Sequence, residues 1–344
     1  MAEVWLVTGV SGCGRIEMLN DLREYAATKG KTVKVIDVGE VIQKKAVDNH
    51  VTFRLSRILN MDQEKLSLLR ALAVQSVNQA IAADKTSDII FIGMHALFLW
   101  KNKLIPGVSY GDLMNLKISG VITVVDDVIK ISKANKDNPK WQEIEPPSAA
   151  ALQRWMMEEE LLSDIFASLK GVRMFVLARN QSCENLYTFF FEEQKRIYLS
   201  YPITAIRENK ELNDQIQNEY KPQIERMFYV FNPLDIMDKT HVSKKITVDK
   251  DFLSPESVVL VDARTVERDY RFISQSDAVA VIYPTDLISP GVAAEMNYAH
   301  DHQIPVFMFY QGAISPFLQE KASVYDTMDG FLSALKDFAA KKLD

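Results

Sequence analysis

The residues of this 344-residue chain best suited to covalent chemistry lie in the segment RDYRFISQSDAVAVIYPTDLISPGVAAEMNYAHDHQIPVFMFY, from Arg268 to Tyr310. Two aspartates, Asp269 and Asp277, precede an apolar run that reads as a β-strand. Ser289-Pro290-Gly291-Val292 then forms a loop into a helix whose first turn carries Glu295, and a second apolar strand ends at Tyr310. Breaking an N-glycosidic bond develops oxocarbenium character at the sugar C1′, and a carboxylate below the ring can stabilise that charge and bond to C1′. Glu295 is the candidate nucleophile, expected to be kept ionised by the positive end of its helix. Ala293 and Ala294 beside it leave room for a sugar. Ser289 with the N–H groups of Gly291 and Val292 is a candidate nest for a 5′-phosphate or 5′-hydroxyl. Asp269 is a candidate for holding Glu295 or a sugar hydroxyl, or for proton transfer to the departing base. Asp277 suits a substrate contact and a residue that orients the loop equally well. Without the loop, a glutamate at a helix start would be an ordinary capping or solvated residue.

A second constellation lies near the N-terminus. Gly9-Val10-Ser11-Gly12-Cys13-Gly14-Arg15-Ile16 follows one apolar run and opens a helix. Glycines there let backbone N–H groups converge on an anion. A complete phosphate loop of this kind needs Lys and then Ser or Thr, one for phosphate and one for Mg²⁺. Arg15 can meet phosphate; Ile16 cannot hold a metal. The alternative is a tight turn between strand and helix.

The elements that must carry these groups follow from patterning. Strand-like apolar runs alternate with helix-like segments throughout, which predicts parallel α/β architecture. Strands are expected at residues 4–8, 32–37, 89–92, 120–125 and 173–178, and again at 196–199, 227–231, 258–261, 278–283 and 305–310. Helices are expected at 16–29, 38–50, 62–84 and 149–169. Residues 134–148, with three prolines, read as a long loop or lid. The length suits two domains, placed at 1–192 and 193–344, with a linker near 180–195 and a helix over 186–191 closing the first. The fold expected is α/β, two doubly wound parallel-sheet domains.

With 47% hydrophobic residues, two ordinary cores can be filled. The net charge of -6 argues against a broad nucleic-acid surface. Cys13 and Cys183 make no disulfide or metal framework, as suits a reducing compartment. No apolar run is long enough to span a membrane, and the first apolar run reads as a strand rather than an export signal. The expectations are therefore a cytoplasmic protein, a small-molecule nucleotide or nucleoside as partner, no cofactor and no metal.

Two families resemble the two halves. VWLVTGVSGCGR and VKVIDVGEVIQKKA look like the first strand, phosphate loop and second strand of archaeal-type adenylate kinases, a likeness covering roughly the first 180 residues. In IIFIGMHALFLW, His95 matches that family's histidine, while Gly93 stands where an acidic residue is usual, and residues 132–148 hold lysines but none of the lid arginines that neutralise phosphoryl charge. The resemblance implies a kinase-like domain that has lost phosphoryl transfer; Gly9, Gly12, Gly14, Arg15 and His95 remain as candidate nucleotide contacts. From Arg196 onward the chain resembles the nucleoside 2-deoxyribosyltransferase superfamily, in particular its 2′-deoxynucleoside 5′-monophosphate N-glycosidase branch, through the Ser-x-Gly-Val-x-x-Glu spacing of residues 289–295 and the Asp269/Asp277 pair. That likeness implies a flavodoxin-like strand order, Glu295 and Asp269 as catalytic groups, and an oligomer, a dimer or higher. It also implies substrate contacts from Tyr198 and Ser200 in the strand RIYLS and from Asp277, Ser289, Gly291 and Val292. Tyr201-Pro202 replaces a Gly-containing pair of that branch, and Tyr201 can stack on a base or fill the pocket itself.

Overall fold

The computed structural model describes residues 2–51, 55–101, 103–138, 141, 145–207, 209–236, 255–284, 289–313 and 315–341. Its described residues divide into two compact units, the first holding residues 2–180 and 255–261 and the second residues 181–236 and 262–341.

The first unit is built on β1 (Glu3–Thr8), β2 (Val33–Asp37), β3 (Ile89–Gly93), the hairpin β4 (Leu97–Trp100) and β5 (Lys103–Pro106), β6 (Gly120–Val125) and β7 (Arg173–Ala178). Five of these form one sheet in the order β2-β3-β1-β6-β7, all parallel. β3 and β6 are buried along their whole length. This is why the sequence shows unbroken apolar runs there: helices cover both faces of a parallel sheet. Each Leu, Val, Ile or Phe so buried contributes about 1.5–3 kcal/mol. The long Ala149–Lys170 helix begins where Ser148 caps the Ala151 N–H, and ends at Gly171 in the left-handed region.

The second unit holds β8 (Arg196–Ser200), β9 (Tyr229–Phe231), β10 (Ala278–Tyr283), β11 (Val306–Tyr310) and β12 (Ser323–Tyr325) in the order β12-β11-β10-β8-β9. Its strands are also parallel. Numbered within the unit this is 2-1-3-4-5, the flavodoxin-like order, and its switch point lies between β8 and β10. Both sheets are doubly wound, as expected from the sequence.

Several local expectations fail. The run VVLV at residues 258–261, expected to be a strand, lies in the Pro255–Ser274 helix; β-branched residues carry strand propensity, but the segment continues at helical period through Phe272 and Ile273, both buried. The fifth strand is instead the short β12. The 134–148 lid begins inside a helix, Val128–Asp137, and residues 139, 140 and 142–144 of it lie outside the described residues. The Cys183–Phe191 helix packs with the second unit rather than closing the first: Asn185 accepts from Val230 N–H at 2.9 Å and donates to Val230 O at 2.8 Å.

Candidate functional site

Alternation along β8 sets up the site in the second unit. Ile197, Leu199 and Tyr201 face a core cluster with Ile216, Ile224, Phe331 and Leu335. Tyr198 and Ser200 therefore point to the opposite face, and there they meet Glu295. Tyr198 donates its phenolic O–H to Glu295 Oε1 at 2.9 Å, and Ser200 Oγ donates to Oε2 at 2.5 Å. Both donors are fully buried. Each carboxylate oxygen thus has its own donor, which fixes the plane of the group.

Glu295 lies in the Pro290–Asp301 helix, whose first turn holds no acidic residue. It sits in the second turn, not the first, and the expectation that the helix dipole keeps it ionised is overturned. Burial, then the negative charge of Asp269, raise its pKa from 4.5 to about 8 against the opposing pull of the Ser200 and Tyr198 hydrogen bonds. Near neutral pH the carboxyl holds its proton beside a charged Asp269. The same surroundings push the Tyr198 phenol well up, burial first and then Asp269 and Glu295. Asp269 comes from the Pro255–Ser274 helix, where the Arg268 guanidinium lies 3.4 Å from its Oδ1.

At the start of the same helix, Ser289 is the cap. Its Oγ accepts from Val292 N–H at 3.5 Å, and its own N–H donates to the Tyr283 hydroxyl at 2.6 Å. Pro290 has no N–H. The nest expected from the sequence is thereby reduced to the Ser289 hydroxyl proton and the Gly291 N–H, with Val292 already engaged by the cap. Residues 285–288 of the preceding loop lie outside the described residues, as do the side chains of residues 255–259, 261 and 262.

Two predicted substrate contacts stand elsewhere. Asp277 stands just before β10, where its carboxylate accepts from Arg196 Nη2 and Nε at 2.9 and 3.2 Å and from the Arg196 backbone N–H at 2.7 Å. It clamps the entry of two neighbouring strands. Tyr201 is buried in the core face, its hydroxyl donating to Asn232 Oδ1 at 2.8 Å and accepting from Gln217 at 3.2 Å. It fills space rather than stacking on a base.

In the first unit, Gly9, Gly12 and Gly14 all have positive φ, at 147°, 85° and 71°, which other residues rarely adopt. The loop is also packed tightly on its own unit. A Cβ at Gly9 would come within 2.7 Å of Cys13 Sγ, and one at Gly12 within 2.9 Å of Asn135 Oδ1. These glycines do not line the adjacent cavity; Ser11, Arg15 and His95 do. The cavity has a volume of about 320 Å³. Ile16 and Gly93, the two departures from a metal-binding phosphate loop, lie against each other: a Cβ on Gly93 would collide with Ile16 Cδ1.

Sequence reasoning missed Glu159. Glu159 is fully buried and accepts from the N–H groups of Gly9, Ala96 and Leu97 at 3.0, 2.8 and 2.9 Å. It ties the glycine loop to the start of β4. Burial raises its pKa to about 7 despite those three bonds and Arg15. The signal was present in WMMEEELLS: of three consecutive glutamates, only Glu159 stands four residues from both Trp155 and Ser163, on the buried face.

No family model matches this sequence, and no curated protein matches it. Among solved structures, similarity is found to a 2-deoxyribosyltransferase from Bacillus psychrosaccharolyticus, at 15% identity over 41% of this chain and 90% of that one, with a TM-score of 0.30. A conserved protein from Enterococcus faecalis is 18% identical over 42% of this chain and 98% of that one, TM-score 0.27. A sugar kinase from Janibacter sp. is 14% identical over 56% of this chain and 95% of that one, TM-score 0.31.

Proposed function

We propose that this protein is an N-glycosidase acting on nucleotides, with Glu295 as nucleophile, Asp269 as its acidic partner, and Tyr198 and Ser200 as positioning residues. The observation that carries this reading is the carboxylate of Glu295, held at both oxygens by Tyr198 and Ser200 at the switch point of the second sheet. Ligands of open α/β sheets bind at such points. A carboxylate fixed this rigidly is pre-aligned for attack on one atom.

The step balances as follows. The Glu295 carboxylate bonds to C1′ as the C1′–N bond breaks, and the electron pair leaves with the base, which takes up a proton. The Glu295–Asp269 pair, holding one proton at neutral pH, supplies it by way of Asp269. Water then attacks C1′, losing a proton to Asp269, and frees Glu295. A second base in place of water would make the protein a deoxyribosyltransferase; the two reactions share the same intermediate. The Ser289 hydroxyl and the Gly291 N–H favour a 5′-phosphate, because charge-assisted hydrogen bonds are worth about 1.5–3 kcal/mol each.

Release of free base from matched nucleosides and 5′-monophosphates tests the reading. Wild type is expected to release base, fastest from a monophosphate, and Glu295→Gln to lose at least about a hundredfold, as on removal of a main catalytic group, while remaining folded. Undiminished turnover by Glu295→Gln would overturn the assignment. No base release from any substrate would leave the second unit as a binding domain.

A further inference from the structure

Asp269 and Glu295 are carried by different helices, Pro255–Ser274 and Pro290–Asp301. How strongly one carboxyl feels the charge of the other therefore depends on how far apart those helices are held. An aromatic contact joins them beside both groups. Tyr270 directly follows Asp269, and Tyr298 stands three residues past Glu295, one turn along the same side of its helix. The two tyrosine rings lie 4.2 Å apart between centroids and within 5° of parallel. The His302 ring lies 4.0 Å from Tyr298 at 25°, and its Nδ1 is 2.8 Å from the Tyr298 carbonyl oxygen. Two rings stacked this closely cannot share one face of a third, so Tyr298 is held on both faces. Tyr270 and Tyr298 are half-buried and His302 is exposed, which leaves the stack itself, rather than a surrounding core, to fix the Tyr298 ring.

We propose that Tyr298, clamped between Tyr270 and His302, is a positioning residue that holds the Asp269 and Glu295 carboxyls at the spacing the reaction needs. The inference rests on Glu295 being the nucleophile and Asp269 its acidic partner. While the rings stay stacked, the charge of Asp269 stays against Glu295 and the pair keeps one proton. Once the helices splay, that repulsion weakens and Glu295 gives up its proton at lower pH. The other groups facing the pair are Tyr198 and Ser200 from β8 and Arg268 from the helix of Asp269, and the test alters none of them.

The test compares Tyr298→Leu, which removes the ring, with Tyr298→Phe, which keeps it. Tyr298→Leu is expected to lose at least about tenfold in kcat, as for a small misplacement of reacting groups, with KM changed by less than about twofold. The alkaline fall in base release should move down by about one pH unit. Tyr298→Phe should match wild type in all three. His302 is present in both variants, so its own titration cannot produce the difference. A second readout needs no turnover. The pH above which Glu295→Gln raises the melting temperature should also drop by about one unit in the Tyr298→Leu background. If Tyr298→Leu does not fold, Tyr270→Leu removes the other ring and carries the same expectations. A lower melting temperature alone, with kcat per folded molecule and the Glu295 titration unchanged, would make the stack merely structural and overturn the proposal. Equal losses in the Leu and Phe variants would overturn it as well. If wild type releases no base, the glycosidase reading fails by itself, and the melting comparison still decides whether the stack holds the two carboxyls together.

Discussion

At Glu295 the physics of burial and the needs of catalysis pull in opposite directions. A nucleophile must be ionised, yet burial and Asp269 hold this carboxyl protonated up to about pH 8. The unfolded chain would ionise it near 4.5. The folded state therefore binds the extra proton, and stability is highest below about pH 4.5 and falls as pH rises toward 8. The full difference is on the order of a few kcal/mol, at 1.36 kcal/mol per pKa unit, and smaller to the extent that water reaches the group. Glu295→Gln keeps the shape and removes the titration. Its melting temperature is expected to equal or trail wild type at pH 5 and to exceed it by several degrees at pH 9. Glu159 and Asp235, whose carboxyls burial raises to about 7 and about 6, cancel in the comparison because they titrate in both proteins. A pH-independent difference would show that Glu295 is not buried beside a charged Asp269. In the proposed mechanism the single proton held by the Glu295–Asp269 pair goes to the departing base, so base release is expected to fall as pH rises through about 8, where that proton is lost.

At the scale of elements, the parallel strands were legible because burial on both faces writes uninterrupted apolar runs. β12 was not, being three residues long and only partly buried. The site was half legible. The Ser289–Glu295 spacing pointed to the loop and to Glu295, and the strand RIYLS to Tyr198 and Ser200, but not that these two hydrogen-bond Glu295 from the face opposite the core. Nothing in one sequence distinguishes an aspartate that touches substrate from one that pins a strand, and Asp277 proved to be the second kind. Its clamp on Arg196 leaves each side chain less than one-fifth exposed, 15% for Asp277 and 18% for Arg196. Asp277→Asn removes the charge that matches Arg196 while keeping one acceptor. Hydrogen bonds to charged groups are worth about 1.5–3 kcal/mol, so a loss of about 2 kcal/mol is expected in denaturant unfolding. Base release per folded molecule should stay within about twofold of wild type, well short of the loss expected for a catalytic group. A large drop in turnover with unchanged stability would return Asp277 to the substrate.

At the scale of the whole molecule, the chain joins two parallel α/β units. The second unit holds a carboxylate at a sheet switch point; the first holds a glycine loop beside a cavity, with Ile16 and Gly93 offering no oxygen to a cation. Ile16 and Gly93 are complementary changes. An acidic side chain at position 93 would force Ile16 to swing its Cδ1 end aside, because the added Cβ would meet that atom. The arginine-free stretch of residues 132–148 removes a further source of charge neutralisation. ATP with any nucleoside monophosphate and Mg²⁺ is therefore expected to give no ADP above the protein-free background. Ile16→Thr alone should not restore the reaction, since it supplies the hydroxyl without the second acidic ligand. The check is coupled detection of ADP over hours at high protein concentration. Clear ADP production by wild type that disappears in Arg15→Ala would mean that the first unit transfers phosphate by a route that does not use these positions.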